Sequence, residues 1–224
     1  MGLDMYLYRM PRYRGATPYD VSAVEDYFEW EKAKAAGNEY AQRSFKEWCG
    51  RETPAKRYRD AYKQYITTRY FYWDVEHRHP VDRIMEQVGY WRKANQIHNW
   101  FVENIQDGVD DCEYHNEVTQ EDLEELLDVC KRVLDSCELV VGEVINGYRY
   151  TRNKDRVPII QIGEIIKDPS IAKELLPSTS GCFFGSTEYN EYYVDDIKTT
   201  IDIVTNVLET TDFDTHMVYY VSSW

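Results

Sequence analysis

At 224 residues the chain is long enough to bury a full core, either as one large domain or as one domain carrying a sizeable insertion. Hydrophobic residues at 43% and aromatics at 15%, with 20 Tyr and 6 Trp, exclude a disordered acidic polymer. A formal net charge of -14, from 40 Asp plus Glu against 26 Lys plus Arg, argues against ordinary electrostatic binding of nucleic acid.

Leu3-Asp4-Met5-Tyr6-Leu7-Tyr8 alternates and is rich in strand formers, which predicts an N-terminal strand stopping before Pro11 with Asp4 on the side of Tyr6 and Tyr8. Residues 18–36 and 38–49 read as two helices broken at Gly37-Asn38. A third follows over residues 55–66, opened by Thr53 as N-cap with Pro54 at the first helical position. Residues 31–83 carry 12 Lys or Arg and 8 Asp or Glu, so residues 10–83 read as a basic, aromatic helical insertion within a single domain spanning 1–224. Arg69-Tyr70-Phe71-Tyr72-Trp73-Asp74-Val75 reads as a strand, and Pro80 ends whatever precedes it.

The stretch from Val88 to Gln106 reads as a central helix: Tyr90, Ala94, Ile97, Phe101 and Ile105 recur at three- and four-residue steps, and Trp91, Asn95 and His98 form the adjacent row. Cys112 to Val118 reads as a short strand. Thr119 then begins the clearest helix, with Leu123, Leu126, Leu127, Cys130, Val133 and Leu134 at helical spacing and acids in the first turn, where they suit the helix dipole. Residues 140–162 hold β-branched clusters with Asn146-Gly147 as a hairpin signal, and a short helix is expected near residues 168–176. Gly181 to Tyr193 reads as a strand turning into a last helix whose buried stripe is Tyr193, Ile197, Ile201, Val204 and Leu208. His216-Met217-Val218-Tyr219-Tyr220-Val221 reads as a C-terminal strand. The expected fold is α+β, helix-dominated, with a small antiparallel sheet pairing the N- and C-terminal strands.

Charge is distributed unevenly: residues 84–224 carry 27 acids against 11 bases, and residues 102–130 hold eleven acids and not one Lys or Arg. From this run Asp107, Asp110, Asp111, Glu113, Glu117, Glu124 and Glu125 are the candidates for binding a partner, since such a field repels nucleic acid and attracts a basic groove. The plainer reading is a solvated helix face. Arg12-Tyr13-Arg14 and Lys56-Arg57-Tyr58-Arg59 interleave base and aromatic, a combination that can hold single strands; against the overall charge they read as a helix surface, or as the complement to the acidic half in a homodimer. Five cysteines without a CxxC pair favour reduced thiols. No signal peptide, myristoylation signal or membrane-length apolar run is present, so a cytoplasmic location with no membrane contact is expected.

Three patches resemble a family of small proteins encoded in bacteriophages and prophages. They are Met1-Gly2-Leu3-Asp4-Met5-Tyr6-Leu7, the stretch Val88-Gly89-Tyr90-Trp91-Arg92-Lys93-Ala94-Asn95 with Ile97-His98 and Trp100-Phe101, and Leu175-Leu176-Pro177 with Phe183-Phe184-Gly185-Ser186-Thr187-Glu188-Tyr189 and Glu191-Tyr192-Tyr193. Together they cover well under half of the chain. The resemblance implies a phage-type accessory protein rather than a chemistry and carries no catalytic residue over. Asn190 stands where the family pattern has Asp, which argues against a metal role there.

No motif names a reaction. Gly185-Ser186-Thr187-Glu188 lacks the Lys of a P-loop and the Gly-x-Ser-x-Gly elbow of a serine hydrolase, and His77-Arg78-His79 with His115 lacks a fixed third ligand, so neither a metal nor a cofactor is assigned. Two function classes remain. One is an interaction protein that docks an acidic, Tyr-rich surface on a basic host protein, as an inhibitor of a host enzyme or defence system. The other is a small-molecule site, enzymatic or not, in which Asp4, Trp91, Asn95, His98, Ser186, Glu188 and Tyr189 line one pocket, with His98 as acid, base or donor and Glu188 setting its protonation. The bland alternative makes Asn95 and His98 hydrogen-bonded struts.

Overall fold

Alternating buried and half-exposed side chains mark β1, Asp4–Pro11, which buries Met5 and Leu7 while Asp4 and Tyr6 stay half-exposed. A computed structural model describes residues 2–13, 15–37, 54–65, 67–70, 80–112, 115–152 and 155–224. Among these the elements after β1 run α1 Pro18–Ala35, α2 Pro54–Tyr62, β2 Thr67–Tyr70, β3 Pro80–Arg83, β4 Glu86–Arg92, α3 Asn95–Ile105 and β5 Asn116–Val118. There follow α4 Gln120–Ser136, β6 Leu139–Tyr150, β7 Arg156–Ile166, α5 Ser170–Leu175, α6 Glu191–Thr210 and β8 His216–Ser223. The fold is α+β, and the N-terminal β1 lies beside the C-terminal β8 in a four-stranded sheet of order β4-β1-β8-β5.

The chain divides into two compact units: residues 1–7, 87–211 and 218–224 form the first, and residues 8–86 with 212–217 form the second. In the first unit α4 packs on α6, burying Leu123, Leu126, Cys130 and Val133 of one helix and Ile197, Val204 and Val207 of the other. The ring of Phe101 on α3 stacks on Tyr220 of β8, with centroids 3.9 Å apart and planes within 9°. Thr119 caps α4 reciprocally: its hydroxyl accepts from the Asp122 N–H at 3.1 Å, and its own N–H donates to the Asp122 carboxylate at 2.8 Å. Such a cap stabilises a helix by about 1 kcal/mol.

In the second unit the same device, Thr17 with Asp20, opens α1, and Pro18 takes its first position. α1 packs on α2, whose Tyr62 hydroxyl donates to the Pro11 carbonyl at 3.1 Å. Glu25 of α1 is buried because its carboxylate accepts from the N–H groups of Ile84 and Met85, at 2.5 and 2.8 Å.

Several expectations are corrected. The helix expected over 88–106 is split: residues up to Arg92 are strand β4, and the helix begins at Asn95. Lys93, at φ 64°, makes the corner. Pro80 opens β3, pairing with Tyr70 as the first residue of a short strand, and the residues before it that it was expected to end lie outside the described residues. Asn146-Gly147 is a bulge and not a turn; the pairing of β6 with β7 continues past it to Tyr150 and Arg156, and Thr151 and Asp155 close the hairpin end through backbone and side-chain bonds. The strand expected after Gly181 is an irregular loop, with Phe183 at φ 69° and Gly185 at φ 97°. The helix expected over 38–49, Thr53 and residues 71–75 of the second expected strand lie outside the described residues.

Candidate functional site

The first turn of α3 places Asn95 and His98 side by side, and the loop from Gly181 to Asn190 closes over both. Asn95 is fully buried and uses its whole amide: Nδ2 donates to the carbonyls of Phe184 and Ser186 at 3.3 and 2.8 Å, and Oδ1 accepts from the Thr179 N–H at 3.0 Å. Gly185 takes its positive φ where a Cβ would come within 3.1 Å of the Lys93 Cβ, so the loop backbone lies directly on the β4–α3 corner.

His98 is buried with both ring nitrogens engaged. Nδ1 lies 2.7 Å from the Tyr220 hydroxyl and Nε2 lies 3.1 Å from Asp110, while Phe184 meets the ring edge-on at 5.1 Å. Burial raises the Tyr220 pKa well above its ordinary range, so the phenol keeps its proton and donates it to Nδ1. The Nε2–H then faces the Asp110 carboxylate, which fixes the neutral tautomer. Burial also lowers the His98 pKa, against the smaller opposing pull of Asp110. The carboxylate beside His98 is therefore Asp110, a residue the sequence places in the partner-binding set, and not Glu188.

The remaining candidates are dispersed. Asp4 accepts from the Tyr90 hydroxyl at 2.6 Å, and the Arg92 guanidinium stands 3.8 Å away. That hydrogen bond leads in pushing the Tyr90 pKa up to about 12. Trp91 is buried toward α6, its indole N–H donating to Thr200 at 2.9 Å. Ser186 accepts from the Glu188 N–H at 3.1 Å, while Glu188 itself is exposed. Tyr189 accepts from the Ser178 N–H at 3.0 Å and packs against Tyr193. Asn95 and His98 thus sit together, Asn95 meeting Ser186 through the Ser186 carbonyl, while Asp4, Trp91 and Tyr189 each serve a different contact and Glu188 is held by Ser186 alone through its N–H. Arg92 and Lys93, read from the sequence as lying on a helix, sit at the end of β4 and on the corner that follows it.

Of the acidic candidates, Asp107, Glu117, Glu124 and Glu125 are exposed, Asp110 and Asp111 are half-exposed, and Glu113 lies outside the described residues. Glu121, Glu124, Glu125 and Asp128 form one exposed stripe on α4, opposite its buried leucines. Its single ion pair among the described residues joins Asp128 to Arg132 at 3.5 Å.

Two features escaped sequence reasoning. Asp196 on α6 is held by Gln96 at 3.1 Å, and burial pushes its pKa up to about 6; nothing in the apolar stripe of that helix marks it. The second unit holds a cleft of about 290 Å³ lined by Arg9, Glu86, Tyr65 and His216, in which Arg9 and Glu86 pair at 2.6 Å. In that unit Tyr58 is buried and Arg59 donates to the Tyr27 hydroxyl at 3.1 Å. Among the described residues no three His, Cys, Asp or Glu side chains group as metal ligands, and no helix is long and apolar enough to cross a membrane.

Compared with known proteins, no family model matches the chain, and no curated protein and no solved structure matches it.

Proposed function

We propose that this chain is a binding protein of the phage accessory type, which docks an acidic face on a basic protein partner and blocks it. The observation that carries this reading is the α4 stripe. Glu121 with Glu125, and Glu124 with Asp128, are like-charge pairs four residues apart. Each such pair costs an isolated helix about 0.2–0.5 kcal/mol. Glu121, Glu124 and Glu125 have no cationic partner among the described residues, so no ion pair there offsets the repulsion. A cationic partner relieves it on binding.

The small-molecule reading has less support, because the amide of Asn95 and both nitrogens of His98 are already bonded to protein groups. A triple variant, Glu121→Gln, Glu124→Gln and Glu125→Gln, tests the proposal. Basic proteins captured from host lysate by the wild-type chain at low salt are lost by the variant and are released from the wild type as salt rises. Capture that is indifferent both to salt and to the three substitutions overturns the reading.

A further inference from the structure

The cleft of the second unit, about 290 Å³ in volume, has walls that hydrogen bonds between elements hold in place. Arg9 and Pro11 of β1 form one side, Gln64 and Tyr65 in the 3-10 turn after α2 form another, and Ile84, Glu86 and His216 also line it. The fully buried Tyr62 ties the base of that turn to β1, since its hydroxyl donates to the Pro11 carbonyl at 3.1 Å. The Glu25 carboxylate accepts from the Ile84 N–H at 2.5 Å, and the Thr215 carbonyl, next to His216, accepts from the Arg12 N–H at 2.8 Å. The walls are therefore set before anything enters, and little ordering cost falls on binding. A volume at the low end of ligand sites suits a molecule of few atoms.

The charges of the cleft select the kind of molecule. The Arg9 guanidinium and the Glu86 carboxylate stand 2.6 Å apart with side chains 18% and 37% exposed, so their fields are screened less than those of a fully solvated pair. A simple anion drawn to Arg9 meets Glu86, and a simple cation drawn to Glu86 meets Arg9. A molecule that carries both charges a few bonds apart gains at both: its carboxylate accepts from guanidinium N–H groups, and its ammonium donates to the carboxylate oxygens. Beside this pair, and among the described residues, His216 is bonded only through Nδ1, 3.0 Å from the Thr215 hydroxyl, and Gln64 only through Nε2, on the Ala61 carbonyl at 3.4 Å. The imidazole Nε2 and the amide Oε1 remain for a ligand, and Pro11, Ile84 and the Tyr65 ring supply apolar surface. We propose that this cleft binds a free α-amino acid, its carboxylate on Arg9, its ammonium on Glu86 and its side chain against Ile84 and Tyr65. The site shares no residue with the acidic stripe of α4, so the two readings stand or fall separately.

Calorimetric titration of the full-length chain with each of the common L-amino acids in turn tests this. At least one is expected to bind saturably, one molecule per chain. Its N-acetyl derivative, which has no ammonium, and its methyl ester, which has no carboxylate, are expected to bind about tenfold or more weakly. Glu86→Gln weakens binding of the parent amino acid by a similar factor. His216→Ala and Tyr65→Ala, at positions that are not buried, keep the circular dichroism spectrum and also lower affinity, which separates loss of the site from loss of the fold. The proposal is overturned if no amino acid binds, or if the acetylated or esterified form binds as tightly as its parent. Binding that is unchanged in Glu86→Gln, or in both His216→Ala and Tyr65→Ala, places the ligand elsewhere and overturns it as well.

Discussion

The hydroxyl of Tyr220 sits 2.7 Å from Nδ1 of His98, joining the last strand of the sheet to the helix beside it through an imidazole with no free nitrogen. This contact sets a pH dependence. The unfolded imidazole takes its proton near pH 6.5, and the folded one takes it only at lower pH, because burial disfavours the charge. Between those two values the unfolded chain binds more protons, so the contribution to stability is complete above about pH 6.5 and is lost as pH falls toward the folded value. Urea midpoints measured against pH are expected to fall on the acid side in the wild type and to fall less in His98→Gln. A residual slope remains from His115, whose pKa is also lowered by burial. Tyr220→Phe leaves Nδ1 buried without its donor and costs about 1–3 kcal/mol at neutral pH.

Asn95→Ala removes three hydrogen bonds to the backbone of one loop, at Thr179, Phe184 and Ser186. A loss of about 2–4 kcal/mol in unfolding free energy is expected, since buried backbone groups are left unpaired. Amide exchange should accelerate in residues 179–186 before it does in α4. If exchange in that loop is unchanged while stability falls, Asn95 does not act as its anchor.

Asp196 contributes with the opposite sign to His98. Its folded pKa, pushed up to about 6, lies above the ordinary 3.8, so its charge is penalised in the folded state increasingly from about pH 4 to about pH 6 and fully above that. Asp196→Asn keeps an acceptor for Gln96 and removes the penalty. Stability at pH 7 should rise by roughly 1–3 kcal/mol, and the variant and wild-type urea curves should converge near pH 4. A variant less stable at pH 7 would show the carboxylate to be structural rather than penalised.

The elements that were legible in the sequence are those whose signals are local. Thr119 with Asp122 announces α4, and the alternation around Met5 and Leu7 announces β1. The junction at Lys93 left no such mark. Gly89 and Trp91 point inward at a spacing of two, but Ala94, Ile97 and Phe101 continue the inward positions at helical spacing, so strand and helix merge into one apparent stripe. No glycine flags the turn, and Ala94 provides no side-chain cap. Asn146-Gly147 misled for a different reason: the positive φ that suits a tight turn suits a bulge equally, and which of them forms depends on pairing far along both strands. Of the site, the placement of Asn95 beside His98 was readable from their three-residue spacing on a helix. That Asp110 and Tyr220 complete it was not, because both arrive from elements distant in sequence.

The discontinuity of the second unit bears on how the chain is made. Its closing segment, residues 212–217, is translated long after Glu86, yet Thr215 supplies the carbonyl that receives the Arg12 N–H at 2.8 Å. On the ribosome, Arg12 waits for that acceptor until Thr215 has been synthesised. A nascent chain stalled before residue 212 therefore lacks the segment that closes the second unit.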